Sequence, residues 1–254
     1  MGELPYVRSM VQIHHLDAGP DTVAGITMVD TSHLPWPGAT FSIAESATAE
    51  QVAASYEMLA ATLHVDTDSI YGLHQVHGTE ITVIDHDSKT HSRSPGDALV
   101  TTIPGIVIGV KVADCCGVLI NDPVQHVIAA VHSGWRGTAQ HITSKVIDRL
   151  VSSFHSDPST LHVALSPCAS GAQYEVGQDV FDVLSAHCAQ HPSKSQTWFF
   201  DNTAAITSEL VSAGILTANI TADPSCTMID RRFHSFRRDK QLSGRALAFI
   251  HLKK

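Results

Sequence analysis

The chain has 254 residues, 43% apolar and 16% charged, which suffices for a packed core without disulfide staples and excludes disorder, collagen-like repeats and coiled coil. Twenty-five acidic against sixteen basic residues leave a formal net charge of −9, so nucleic-acid phosphates and anionic membrane are disfavoured as partners.

The opening residues, MGELPYVRSMVQIHH, carry Glu3 and no unbroken apolar run, and read as neither a secretion signal nor an anchor. β-rich runs at 10–15 and 26–29 come next. Over 48–63, Val52, Tyr56, Leu59 and Leu63 recur at helical spacing, with Thr48 as the N-cap. A strand is expected at 80–84, then a polar loop, SKTHSRSP, at 88–95. The apolar run 103–120 is broken by Lys111 and Asp114, where about 18 clean residues are needed to span a bilayer, and its first part, 106–112, reads as a strand. A strand at 126–131 leads to a helix over 138–154, with Ile142, Val146, Leu150 and Phe154 on one face. Further elements are a strand at 161–165, a polar loop at 187–197, a helix over 202–213 stopped by Gly214, and a strand at 246–252. No linker, repeat or low-complexity tract divides the chain. The expectation is an α/β domain whose sheet is at least partly mixed, because several strands follow one another without a helix. Five widely spaced cysteines without a secretion signal argue for a cytoplasmic address and against a disulfide framework, which admits metal or catalytic roles for the thiols.

Three segments combine a metal-capable side chain with a strand end and a glycine turn: His74-Gln75-Val76-His77-Gly78, Asp114-Cys115-Cys116-Gly117, and His132-Ser133-Gly134-Trp135-Arg136-Gly137. One histidine from the first, one cysteine from the second and His132 would supply two imidazoles and a thiolate, a donor set that holds a catalytic zinc and leaves its fourth position open. The spacing lacks the close CxxC or HxxxH pairs that announce zinc unaided. By residue chemistry alone the choice between His74 and His77 stays open, as does the ordinary reading of a cysteine at a strand end as a small buried hydrophobe. Trp135 and Arg136 equally suit a packed turn with a solvated charge.

HQVHGTEI at 74–81, GDALVT at 96–101, ADC at 113–115, AAVHSGWRG at 129–137, PCASGAQYEVG at 167–177 and CTMIDRRFHSFRRDKQLSGR at 226–245 together resemble the laccase-domain family. It is also called the YfiH-type or multicopper polyphenol oxidase family, and is described more recently as purine nucleoside phosphorylases. The resemblance implies one domain over 1–254, an α/β fold with mixed sheets sandwiched between helices. It implies a zinc ion on His77, Cys115 and His132, and thereby selects His77 over His74 and Cys115 over Cys116. It implies phosphorolysis of purine nucleosides and deamination of adenosine, with purine nucleosides and phosphate as the small-molecule partners. Among the arginines, Arg136, Arg237 and Arg238, with Arg245 beside them, are the candidates for clamping phosphate bidentately. Arg136 gains weight from a helix expected to begin at 138. The chain departs from the family pattern at Val112 and Gly117 around the cysteine, at Ser166 in Ser166-Pro167-Cys168, and at Ser55-Tyr56, where the first helix usually carries Asn-Arg.

Three other readings compete. Copper (Cu²⁺) in a polyphenol oxidase would need His-x-His pairs, and none of the seventeen histidines lie two apart. A metal-free hydrolase would use Cys115 as nucleophile and His132 as base. A non-catalytic nucleoside-binding protein would need neither.

Overall fold

The computed structural model describes residues 10–85 and 94–253. The reading of residues 1–9, and most of the polar loop at 88–95, lie outside them. In chain order the strands are β1 (Ile13–Leu16), β2 (Thr22–Thr27), β3 (Ile70–Tyr71), β4 (Ile81–Ile84), β5 (Ala98–Thr101), β6 (Val107–Val112) and β7 (Cys116–Asp122). There follow β8 (Val127–Ser133), β9 (His162–Leu165), β10 (Glu175–Val176), β11 (Cys188–Gln190), β12 (Trp198–Phe200), β13 (Ile220–Ala222) and β14 (Ala246–Leu252). The helices are α1 (Ala49–Leu63), α2 (Trp135–Ala139), α3 (Ile142–Phe154), α4 (Gln178–Leu184), α5 (Asn202–Ser212) and α6 (Phe236–Asp239).

Two mixed sheets stack face to face. One runs β1-β2-β14-β6-β3 and the other β13-β9-β7-β8-β5-β4, with parallel pairs at β3–β6, β4–β5 and β9–β13. Ile108, Val110, Ala246, Ala248 and Ile250 of the first meet Leu99, Leu119, Ile128 and Ala130 of the second in the central core. The opposite faces are covered by helices. Val107, Leu247 and Phe249 pack on Met58 and Leu59 of α1, while Val118, Ile120 and Val131 pack on Val146, Leu150, Ile206 and Leu210 of α3 and α5. The layers are therefore helix, sheet, sheet, helix, the mixed α/β sandwich that the resemblance implied. No helix among the described residues is long and apolar enough to cross a membrane.

Local chemistry accounts for much of this. The Thr48 side chain accepts a hydrogen bond from the Gln51 N–H at 3.3 Å and caps α1, and Gly214 lies past the end of α5 at φ +97°, a conformation glycine adopts without cost. The helix expected over 138–154 is instead two. Trp135–Ala139 forms one turn, His141 takes φ +58°, and α3 starts at Ile142, so its dipole does not begin beside Arg136. The loop expected at 187–197 contains β11, which pairs with one edge of β12 while β10 pairs with the other, in a small third sheet. Val176, Val180, Trp198 and Phe200 form its core.

Gly117 answers one departure from the family pattern. A Cβ at 117 would sit 2.4 Å from Ala248 Cβ across the two sheets. Gly117→Ala should therefore lower stability by about 1–3 kcal/mol, as overpacked cores do, and Ala248→Gly added to it should recover part of the loss. Urea denaturation of the two variants and their combination checks this; additive effects of the pair would remove the contact as the cause.

Candidate metal centre

The site is assembled at the ends of β6 and β8 and in the loop between β3 and β4. Gln75 ties that loop to β6 as a strand neighbour would: its Nε2 donates to the Lys111 carbonyl at 2.8 Å, and its Oε1 accepts the Lys111 N–H at 2.7 Å. The loop then folds around Asp97, a fully buried carboxylate just before β5. Asp97 accepts the N–H groups of Val76 (3.1 Å), His77 (3.0 Å) and Gly78 (2.7 Å) and the Nδ1–H of His132 (2.8 Å). Its own carbonyl takes the His132 N–H at 2.7 Å. His77 is held at φ +58°, a left-handed conformation that a non-glycine residue occupies only under such constraint.

Asp114, at φ +84°, turns the chain between β6 and β7 and presents Cys115. Its carboxylate accepts the Thr227 hydroxyl at 2.7 Å and the Arg237 N–H at 2.6 Å, pinning the C-terminal motif to the turn.

One donor atom from each of His77, Cys115 and His132 lies within 4.8 Å of the others, and the two imidazoles meet edge to face at 4.8 Å. With Nδ1 committed to Asp97, His132 has Nε2 left for Cys115 and for any ion, the usual orientation of a metal-ligating histidine. A Cβ on Gly134 would sit 2.6 Å from Cys115 Sγ, so glycine there keeps the sulfur's approach open. Burial is the largest influence on the Cys115 thiol and pushes it up, but the charge and hydrogen bond of His132, with the His77 hydrogen bond, outweigh it and bring the pKa down to about 6. Burial likewise pulls His132 down, and the Cys115 and Asp97 charges overcome it to raise His132 to about 9. The pair is thiolate and imidazolium at neutral pH. Two imidazoles and a preformed thiolate, one ring oriented by a carboxylate, make a donor set suited to a metal ion.

His74 belongs to the wall of the adjoining cleft and not to the three-donor group. Cys116 points the other way: it is fully buried in the core beneath α3, with Sγ toward the carbonyls of Gly117 and Ser166. Arg136 and Arg237 line the cleft, and Arg245 joins them. Arg238 does not. Its donors are committed to the Asp239 carboxylate and to the carbonyls of Thr227 and Phe233, so it braces α6 behind the cleft wall. Ser55 and Tyr56 also lie away from the cleft: the Ser55 hydroxyl accepts the Thr40 N–H at 3.0 Å, and the Tyr56 ring packs edge-on against Phe41. Asp97 and Lys111 were missed. GDALVT carries the first, but an acceptor of backbone N–H groups leaves no spacing signal.

The cleft in front of the three donors has a volume of about 500 Å³, within the range of small-molecule sites. Each of its three arginines lies over a ring: Arg136 on Trp135 at 4.3 Å, Arg237 on Tyr174 at 4.8 Å, and Arg245 on Phe236 at 5.3 Å. Such stacking fixes guanidinium planes while leaving their edges free to donate.

Residues 28–253 match the family model described as multi-copper polyphenol oxidoreductase laccase. A purine nucleoside phosphorylase of Deinococcus radiodurans is 31% identical over 243 residues, covering 93% of this chain and 85% of that one. The adenosine deaminase RL5 of an unknown prokaryotic organism is 31% identical over 210 residues, 77% of this chain and 79% of that protein. The crystal structure of YlmD from Geobacillus stearothermophilus superposes with a TM-score of 0.85 at 24% identity, over 97% of this chain and all of that one, and so shares its fold.

Proposed function

The chain belongs to the multi-copper polyphenol oxidoreductase laccase family, and from that premise we propose that it is a zinc-dependent purine nucleoside phosphorylase that also deaminates adenosine. The observation that carries this reading is a His77, Cys115 and His132 group opening on a cleft whose arginine guanidinium groups have no carboxylate partner among the described residues. Purine nucleosides and phosphate are the substrates, and five free thiols suit a reducing, cytoplasmic setting.

His77, Cys115 and His132 would hold the ion. Zinc on such a donor set supplies Lewis acidity and ionises water near neutral pH. Asp97 holds the His132 tautomer and the His77 loop. The rings of Trp135, Tyr174 and Phe236 offer apolar faces for the base, and the cleft cations hold phosphate. In phosphorolysis a phosphate oxygen bonds to the ribose C1′ as the bond from C1′ to the base nitrogen breaks, and the base leaves with a proton. A group of three donors, the single convergent set among the described residues, suits one zinc better than the several Cu²⁺ centres of a polyphenol oxidase. A second reading, a metal-free hydrolase, is favoured by the Cys115, His132 and Asp97 alignment. Chelation separates the two, since a hydrolase would survive it.

With adenosine or inosine, free base should appear only when phosphate is supplied, while ammonia release from adenosine should not depend on phosphate. Chromatography of both products with and without phosphate tests this; base release at equal rates in both would replace the phosphorylase with a hydrolase.

Binding of zinc should also follow pH. Between about 6 and 9 Cys115 is already ionised while His132 must give up its proton, so affinity should rise about tenfold per pH unit across that window. Competition against a chromophoric chelator reads the slope. A flat profile would deny His132 a place among the ligands.

A further inference from the structure

The cations of the cleft differ in how they are held. Arg136 is exposed, where solvent weakens its hold on an anion. Arg237 gives one Nη1 proton to the Glu175 carbonyl at 2.9 Å. Lys111 and Arg245 are half-buried, and neither is in an ion pair among the described residues.

The sheet register places these two together. β14 pairs with β6 so that Leu247 faces Lys111 and Ala246 faces Val112. Val112 and Ala246 turn inward to the central core, and Leu247 turns outward to α1. Lys111 and Arg245 therefore share the outward side as diagonal neighbours on adjacent strands, about 7 Å apart at their roots and within reach of one another at their tips. The Arg245 guanidinium is fixed from behind. Nη1 donates to the carbonyls of Ser243 (2.9 Å) and Gly244 (2.8 Å), and Phe236 lies against its plane, while Nε and Nη2 of this cleft-lining side chain have no acceptor among the described residues. Ser42 lines the same cleft, and among the described residues its hydroxyl donates only to the Ile43 carbonyl, at 3.5 Å.

Two like charges side by side, partly desolvated and in no ion pair among the described residues, repel one another, and burial lowers the pKa of each, for Arg245 against the weaker pull of the Cys115 and Asp114 charges. A bridging anion reverses the sign of that interaction. A tetrahedral oxyanion offers two oxygens to the Arg245 fork and a third to the Lys111 ammonium. We propose that Lys111 and Arg245 form the subsite for inorganic phosphate, with Ser42 as a further donor. This rests on the phosphorylase reading; among the arginines named from the motifs it keeps Arg245, moves the phosphate away from Arg136 and Arg237, and adds Lys111, which no motif named.

Calorimetric titration of the metal-loaded protein with inorganic phosphate alone tests it. Lys111→Met should weaken binding by about tenfold or more, the loss expected for one charge-assisted contact. Lys111→Arg should retain most of the affinity. Arg245→Lys, which keeps the charge but loses the fork, should fall between. Arg232→Ala, which removes a positive charge from a surface pair with Asp230 outside the cleft, should bind like the parent. In inosine phosphorolysis the Lys111→Met change should appear mainly as a higher phosphate KM. Thermal unfolding in phosphate-free buffer confirms that each variant is folded, with Lys111→Gln as the substitute if Lys111→Met is not. Unchanged phosphate affinity in Lys111→Met or Lys111→Gln, a parent that binds no phosphate, or a loss confined to adenosine 5′-monophosphate while inorganic phosphate still binds would each overturn the subsite. Lost phosphate binding in Lys111→Met alongside a parent that performs no phosphorolysis would sink the phosphorylase reading and leave the subsite standing.

Discussion

Purified Cys115→Ala protein should carry less than a tenth of the metal bound by the parent and lose nucleoside deamination by about three orders of magnitude, while keeping its fold. Cys115 is the one thiolate of the three-donor group, and two neutral imidazoles alone form a much weaker set for zinc. The fold should survive because the stacked sheets and their helix layers bury their apolar side chains independently of the ion, unlike small domains that need zinc as a staple. Cys116→Ala is the matched control. Its sulfur is in the core under α3, so that variant should keep its metal and lose only the modest stability of a small cavity. Elemental analysis of both proteins, with ammonia release from adenosine, decides the matter. Stoichiometric zinc in Cys115→Ala would remove the thiolate from the ligand set.

What sequence could disclose of the fold depended on where the deciding forces lie. α1 was legible because its apolar spacing and its Thr48 cap are both local. β7 was not. The run 103–120 hides two strands joined at Asp114, and since both faces of β7 are buried its residues show no alternation to mark it off from β6. The break between α2 and α3 is a tertiary effect: Gly137 lets Ile142 come within 3.2 Å of where a Cβ would be, and His141 takes the left-handed turn that this packing requires. β10, β11 and β12 are two or three residues long, too short for a period of two to show, and are strands because Trp198 and Phe200 have a core of their own. The same division holds at the site. Three strand-end turns stood out by residue type, and the resemblance chose His77 and Cys115 among neighbours that chemistry alone left equal. Of the subsite cations, Arg245 ends the C-terminal motif and was among the candidates, whereas Lys111 carried no signal, because the two are 134 positions apart in number and adjacent only through the pairing of β6 with β14.

Asp97 is the residue on which the centre's geometry most depends, and replacing it should damage stability and metal binding together. Asp97→Ala would leave the N–H groups of Val76, His77 and Gly78 and the buried His132 ring without their acceptor, at a position that is itself fully buried. Removing one partner of a buried charged network typically costs about 3–5 kcal/mol, and losing the carboxylate that orients a ligating histidine typically costs 10- to 100-fold in metal affinity. Asp97→Asn keeps the shape and one acceptor oxygen, so it should fold and reveal the binding loss by itself. A pH signature accompanies these effects. Burial, the largest influence, raises the Asp97 carboxyl, but the His132 hydrogen bond and charge with the Gly78 and Val76 N–H groups outweigh it and hold the pKa below the ordinary value. A carboxylate depressed on folding contributes stability that is present above its unfolded pKa, near 4, and lost as pH falls through the folded value. Parent protein stripped of metal should therefore lose stability below about pH 4 more steeply than Asp97→Asn does, which chemical denaturation at a series of pH values measures. Parallel curves for the two, with equal metal affinity, would reduce Asp97 to a filler of space and leave the His77 loop held by its other hydrogen bonds, those of Gln75 with Lys111 and of His74 with Ser94 and Gly96.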